Sequence, residues 1–262
     1  MKKSLSILFS FFLFTLSFTT AQAQSGLLKV MTYNIHHANP PAKPGVIDLD
    51  AIAKVIMAEN PDLVALQEMD VNTIRNGGID QVKELSRLTG MYSYFSKSIA
   101  FEGGEYGIAI LSKFKILDTE RYLLPFEKGL KAEQRSLAVI KIDVPHHGKL
   151  FFACTHLDLK DEHRKLQVNE INRLLAKRKN TVILAGDFNL TADNPIMPLL
   201  EKYFNRSCLD GCAPTIPDVN PKKEIDFIFL NKRSKLQTIS HRVINDIHAS
   251  DHLPLVVTYS FN

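Results

Sequence analysis

The sequence has few cysteines, no internal repeat, no linker-like stretch rich in Ser, Gly or Pro and, beyond its N-terminus, no apolar run long enough to cross a bilayer. Each absence removes a class of protein. Three cysteines in 262 residues allow one internal disulfide at most, so this is no disulfide scaffold, and no Cys-x2-Cys pair is present to hold zinc. Solenoids and propellers need a period that is missing, and two domains would need a linker that is missing too. Charge of one sign is also scarce. The formal balance is +4, which gives no general basic field for polyanions.

What is present is ordinary globular material, 45% hydrophobic and 23% charged. The N-terminus is the exception. Lys2 and Lys3, an apolar stretch from Leu5 to Phe18 and the small-x-small triplet Ala21-Gln22-Ala23 read as a signal peptide, residues 1–23. Its removal takes away two lysines and no acid, lowering the formal charge from +4 to +2. Residues 24–262 are then expected to form one domain, exported to a periplasm or secreted. In such an oxidising compartment Cys208 and Cys212, neighbours in one loop, are expected to pair, whereas Cys154 sits inside an apolar strand.

Short runs rich in Val, Ile and Phe outnumber helical patterns. Strands are expected at about Leu27–Asn34, Asp62–Glu68, Gly107–Ser112, Ser136–Val144, Leu150–Leu157, Thr181–Phe188, Ile225–Leu230 and Leu253–Tyr259. Helices are expected at Asp48–Glu59, with Asp48 or Asp50 as N-cap, at Ile79–Thr89, stopped by Gly90, and at Asp161–Arg178. Several strands follow one another with no helix between them. That pattern argues for an α+β protein of two packed, mainly antiparallel sheets with helices outside, and against a doubly wound parallel sheet.

The chemistry stands at the ends of the apolar runs. Val30–Asn34 ends in an amide, Leu63–Glu68 in a carboxylate, Phe151–His156 in an imidazole and Val182–Asn189 in Asp187 and Asn189. Asp226 opens another run, and Asp251 and His252 precede the last. Any one of these has a bland explanation, because Asp, Asn and Ser end strands everywhere. The set does not. Converged on one rim, these groups are the parts of a hard-metal phosphate site: carboxylates for a Mg2+-like ion, amides for water or phosphate oxygens, and a His–carboxylate pair for protons or charge.

The ordered series Tyr33-Asn34, Leu66-Gln67-Glu68, Tyr106-Gly107, Gln134-Arg135-Ser136, Thr155-His156-Leu157, Gly186-Asp187-Phe188-Asn189, Ile225-Asp226-Phe227 and Ser250-Asp251-His252-Leu253-Pro254 resembles the endonuclease/exonuclease/phosphatase superfamily, the deoxyribonuclease I-like fold. The resemblance implies a four-layer αββα sandwich that hydrolyses phosphodiesters or phosphomonoesters with a divalent metal, Mg2+ or Mn2+. Residue by residue it implies Glu68 as principal metal ligand, with Asn34 beside it and Asp251 as a further ligand. Asp187 would orient or deprotonate the attacking water, and Asn189 would donate to a phosphate oxygen. His252, bonded to Asp226, and His156 would face the phosphate, and Arg135 would steady the site. No Ser or Cys stands in a nucleophile motif, so direct displacement by water is expected.

Around this set several residues carry weaker expectations. Glu105 or Glu102 would be the carboxylate partner of His156. Asp70 and Asp158 are read as solvated loop acids. His36 and His37 either line the substrate entrance or are solvated, the second being the commoner case. Arg164 and Gln167 share a helical face, a spacing seen in the family, and a salt-bridged helix start accounts for them equally. A monomer acting on a small-molecule, lipid-headgroup or nucleic-acid phosphate ester is the leading expectation. The alternatives are a secreted nuclease, for which the charge of the chain offers little, and a catalytically silent binding module, against which stands the presence of every expected site residue.

Overall fold

Strands with apolar side chains on both faces need a cover on both faces, and the layers of this molecule follow from that requirement. The structure is a computed structural model that describes residues 26–245 and 248–261; the signal peptide expected at residues 1–23 lies outside them. One six-stranded sheet contains, in spatial order, β11 (Gln237–Val243), β12 (Leu255–Ser260), β1 (Leu27–Asn34), β2 (Leu63–Val71), β4 (Gly104–Ser112) and β3 (Tyr92–Phe101). The other contains β5 (Ile116–Leu123), β6 (Ser136–Val144), β7 (Gly148–His156), β8 (Val182–Asp187), β10 (Asp226–Asn231) and β9 (Phe204–Arg206). Only β1–β2 and β7–β8 pair in parallel; the remaining pairs are antiparallel.

Alternation along each central strand sends side chains to two different cores. From β1 and β2, Leu28, Val30, Leu63 and Ala65 meet Ile140, Phe152, Cys154 and Ile183 of the facing sheet. Their neighbours Met31, Tyr33, Val64 and Leu66 point the other way, onto α1 (Leu49–Glu59) and α2 (Gln81–Thr89), where Ile52, Ile56 and Leu85 receive them. The second sheet repeats the arrangement: Val139, Leu184 and Phe229 pack on Val168, Ile171 and Leu175 of α3 (Asp161–Leu175) and Leu200 of α4 (Met197–Glu201). The result is the αββα sandwich.

The helix ends follow local chemistry. Asp48 caps α1 by accepting from Ala51 N at 2.9 Å, and Asn60 closes it in the left-handed conformation. Asp80 caps α2, and Gly90 ends it at φ 68°. All eight expected strands form, and among the described residues there are four more: β3, β5, β9 and β11. These four are the edges of the two sheets. With one neighbour each and much of their surface in water, they carry mixed sequences such as Ile116–Leu123 that show no apolar run. Cys208 and Cys212 form a disulfide, and Cys154 is fully buried.

Candidate active site

Two parallel pairs bring four chain segments out at the same rim. The β1–β2 pairing stops with Asn34 opposite Gln67, where β2 runs on through a bulge, and β7 and β8 end together with His156 opposite Asp187. The antiparallel β10 starts at that rim, with Asp226 opposite Asp187. The loop before β12 is tied to it by Ser250 Oγ, which donates to the Asn34 carbonyl at 2.7 Å. Arg135 enters just before β6 and is buried.

Backbone devices aim the side chains. A bulge between Leu66 and Met69 of β2 puts Glu68 in the left-handed region at φ 60°, turning its carboxylate out of the sheet register. Gly186 is needed where it stands, because a Cβ there would lie 2.1 Å from the Thr155 carbonyl oxygen across the parallel pair. Asn189 is also left-handed, at φ 51°; its backbone N donates to Asp187 Oδ1 at 2.8 Å and its amide to the Leu157 carbonyl at 3.0 Å. Such conformations at non-glycine residues cost about 1–2 kcal/mol each and cluster where function fixes the backbone.

Three donors converge on one oxygen, Asp187 Oδ2. Asn34 Nδ2 lies 3.1 Å from it, His156 Nε2 3.5 Å and His252 Nε2 3.7 Å. The same Asn34 amide donates to Glu68 Oε1 at 3.1 Å, so one NH2 group links a carboxylate from each sheet. His252 Nδ1 is bonded to Asp226 Oδ2 at 2.8 Å, and Thr215 Oγ1 donates to that oxygen at 2.6 Å. Arg135 Nη1 lies 3.2 Å from His156 Nδ1 and 2.9 Å from Glu133 Oε1.

The electrostatics separate the two imidazoles. Burial works against charge on His252, but Asp226, Asp187 and Asp251 outweigh it and raise its pKa to about 10. Burial together with the Arg135 guanidinium holds His156 well below the ordinary imidazole value, so this ring is neutral. As the Nε2–H tautomer it accepts from Arg135 and turns its own N–H toward Asp187. Burial first, and Asp226 second, push the Asp187 carboxyl up, against the pull of His252 and Asn34. Burial also works to raise Glu68, but His37, His156, Asn34 and His36 outweigh it and hold it well below the usual carboxylate range.

Several expectations need correction. Glu105 is not the partner of His156: it pairs with Lys97 Nζ at 2.9 Å, while Glu102 accepts from Arg75 N, and the carboxylate nearest the His156 ring is Asp187. Asp70 and Asp158 are not solvated. Asp70 is fully buried in a two-point pair with Arg75, and Asp158 is buried where Lys160 N donates to it. His36 and His37 are half-buried against Glu68 rather than surrounded by water. Asp251 receives Ser250 Oγ at 3.3 Å and belongs to neither cluster of metal-competent side chains among the described residues, which are His36–His37–Glu68 and Asp187–Asp226–His252. Arg164 pairs with Asp161, and it also donates to the Asn189 carbonyl, so α3 braces the Asn189 loop.

Sequence reasoning missed Thr215 and Glu133, and it placed Tyr106 in the family series without giving it a role. Thr215 lies in an irregular loop that carries no pattern. Tyr106 is a buried neutral phenol whose pKa is raised by burial and then by Glu68, beside the Arg75 guanidinium 5.5 Å from its ring. Glu68 suits a divalent cation on the chemistry of its surroundings: Oε1 is occupied by Asn34, Oε2 faces the His37 ring at 3.9 Å without a hydrogen bond, and the side chain is 23% exposed.

Comparison with known proteins bears on the chain as a whole. The sequence model of the Endonuclease/Exonuclease/phosphatase family matches residues 31–252. An endonuclease/exonuclease/phosphatase from Beutenbergia cavernae DSM 12333 is similar in structure, with TM-score 0.76 and 26% identity over 90% of this chain and 72% of that one. A mannosyl-6-phosphatase from Bacteroides thetaiotaomicron VPI-5482 shares the fold at TM-score 0.72 and 18% identity, covering 89% of this chain and 100% of its own. The catalytic domain of human Nocturnin, solved with a bound sulfate anion, does so at TM-score 0.69 and 20% identity, over 91% and 96%.

Proposed function

The chain belongs to the Endonuclease/Exonuclease/phosphatase family, and from that premise we propose that it is a divalent-metal-dependent phosphoesterase that cleaves a P–O bond by direct in-line attack of water. The observation that carries this reading is the convergence of Asn34, His156 and His252 on Asp187 Oδ2, with Glu68 joined to the group by the Asn34 amide.

Glu68 would hold the cation, with Asp251 as a more distant acid. The cation supplies charge for the phosphate oxygens and for the leaving oxygen when bound. The side chains divide the remaining work. Asp187, made more basic by burial, orients the water and takes its proton. His252, kept cationic by Asp226, faces the equatorial oxygens where negative charge builds. His156, neutral and steadied by Arg135, offers an N–H to the same oxygens, and Asn34 and Asn189 hold the geometry. A covalent phospho-enzyme is not part of this reading, because the rim carries carboxylates, amides and imidazoles but no activated Ser or Cys.

Residues 24–262 act as one catalytic domain, exported after cleavage near Ala23, and the Cys208–Cys212 bridge supports an oxidising destination. Small-molecule or lipid-headgroup esters fit the near-neutral chain better than long DNA. The test is turnover of a chromogenic phosphodiester and its matching monoester with Mg2+ or Mn2+ and with EDTA. Metal-dependent release of the chromophore supports the reading, and the ratio of the two rates separates diesterase from phosphatase. Turnover unaffected by EDTA would overturn it.

A further inference from the structure

The turn that follows β1 is built in a way that Glu68 alone does not require. His36, His37 and Ala38 are consecutive non-glycine residues with φ of 46°, 44° and 59°. Four bonds hold them there: Ala38 N to the Ile35 carbonyl at 2.8 Å, Asn39 N to the His36 carbonyl at 2.8 Å, Gln81 Nε2 to the His37 carbonyl at 2.7 Å and Asp48 N to the Ala38 carbonyl at 2.7 Å. Both imidazoles are thereby presented to Glu68. One ligand atom from each of His36, His37 and Glu68 lies within 4.8 Å of the other two.

The ring nitrogens are set as ligands are set. His36 Nδ1 lies 3.0 Å from the Asn39 carbonyl, to which it can only donate, so its proton is on Nδ1 and Nε2 keeps a lone pair. Metal-binding histidines characteristically donate their second nitrogen to a carbonyl or carboxylate in this way. His37 Nδ1 is buried and has no hydrogen-bond partner, and it stands 3.9 Å from Glu68 Oε2. That gap is too wide for a hydrogen bond and matches the separation of about 3 to 4 Å between two ligands that sit about 2.1 Å from one ion. The other Glu68 oxygen is taken by Asn34, which leaves Oε2 as the free acceptor.

We propose that His36 Nε2, His37 Nδ1 and Glu68 Oε2 bind one divalent cation, and that the two nitrogens make this centre prefer a nitrogen-accepting ion of the Mn2+ or Zn2+ kind over Mg2+. The proposal rests on Glu68 being a metal ligand, as in the function proposed above, and adds the donors that select the ion. Two imidazoles and one carboxylate are a donor set for borderline cations, whereas Mg2+ takes oxygen and water.

The test is direct metal binding to the purified protein, read by calorimetry with Mg2+, Mn2+ and Zn2+, and by pulsed electron paramagnetic resonance of the Mn2+-loaded protein. The variants are His36→Asn and His37→Gly: Asn and Gly both tolerate the left-handed backbone, Asn is too short to replace Nε2, and Gly removes the Nδ1 donor outright, where an Asn oxygen would stand in for it. Mn2+ in the wild-type protein is expected to show nitrogen-14 modulation that the double variant loses. Each single variant is expected to weaken Zn2+ and Mn2+ binding by about 10-fold to 100-fold and to leave Mg2+ within about twofold. Absence of nitrogen modulation in the wild type, or unchanged Zn2+ and Mn2+ affinity in the variants, overturns the proposal. So does a loss of phosphate affinity with metal affinity intact, which would make the histidines anion donors. Glu68→Gln separates the two readings: if it weakens Mg2+ binding while the histidine variants change nothing, only the histidine proposal falls, and if it leaves every affinity unchanged, both fall.

Discussion

At the scale of single residues, charge on His252 is decided by its carboxylate neighbours. Asp226, bonded at 2.8 Å, and the nearby Asp187 and Asp251 raise the ring to about 10 against its own burial. Because this lies above the unfolded value of about 6.5, the stabilisation from the pair is complete below that pH and is lost as pH rises through about 10. NMR titration of the metal-free protein should place the His252 ring near the higher figure, and Asp226→Asn should bring it down by more than about one unit. A wild-type midpoint near the ordinary imidazole value would contradict the assignment. Gly186 makes a second residue-scale prediction. A methyl group there meets the Thr155 carbonyl, and Gly186→Ala should lower stability by about 1–3 kcal/mol in urea unfolding. An Ala variant as stable as the parent would show that β7 and β8 can part without penalty.

At the scale of elements, what the sequence discloses depends on how many faces an element buries. β1, β2, β7 and β8 are covered on both sides, so their residues form apolar runs whose polar ends are conspicuous, and Asn34, Glu68, His156 and Asp187 could be found there. The edge strands β3, β5, β9 and β11 have no such run, and the His36–Ala38 turn has no pattern at all, because a left-handed path at non-glycine residues leaves no mark on composition. Asp70 and Asp158 misled for a related reason: a loop acid that is buried by an ion pair or a backbone donor looks like one in water. Helix ends were better marked. Asp48→Ala should remove the cap of α1 and cost about 1 kcal/mol, measured as a lower urea midpoint with unchanged slope. Further along, α3 steadies Asn189 through Arg164, and Arg164→Met should lower kcat while leaving Mn2+ affinity as it was; a change confined to metal binding would mean that α3 acts elsewhere.

At the scale of the whole molecule, the sandwich brings Asn34, Glu68, His156, Asp187, Asp226 and His252, the groups proposed to react, to one rim of the two sheets. The proposed export rests on the sequence of residues 1–23, which lie outside the described region. N-terminal sequencing of the protein recovered from its host should read from Gln24, whereas a chain that retains Met1 would contradict cleavage near Ala23 and leave the segment as an uncleaved anchor. Substrate identity is not encoded in the fold, because the same scaffold serves many phosphate esters. The claim on which the account depends is that Asp187, at the meeting point of Asn34, His156 and His252, activates the attacking water. The measurement is turnover of a chromogenic phosphodiester by Asp187→Ala beside the wild type, in the same metal, with circular dichroism to verify the fold. The account predicts a loss of about 10³-fold in kcat with the spectrum unchanged, and turnover within about tenfold of wild type would contradict it.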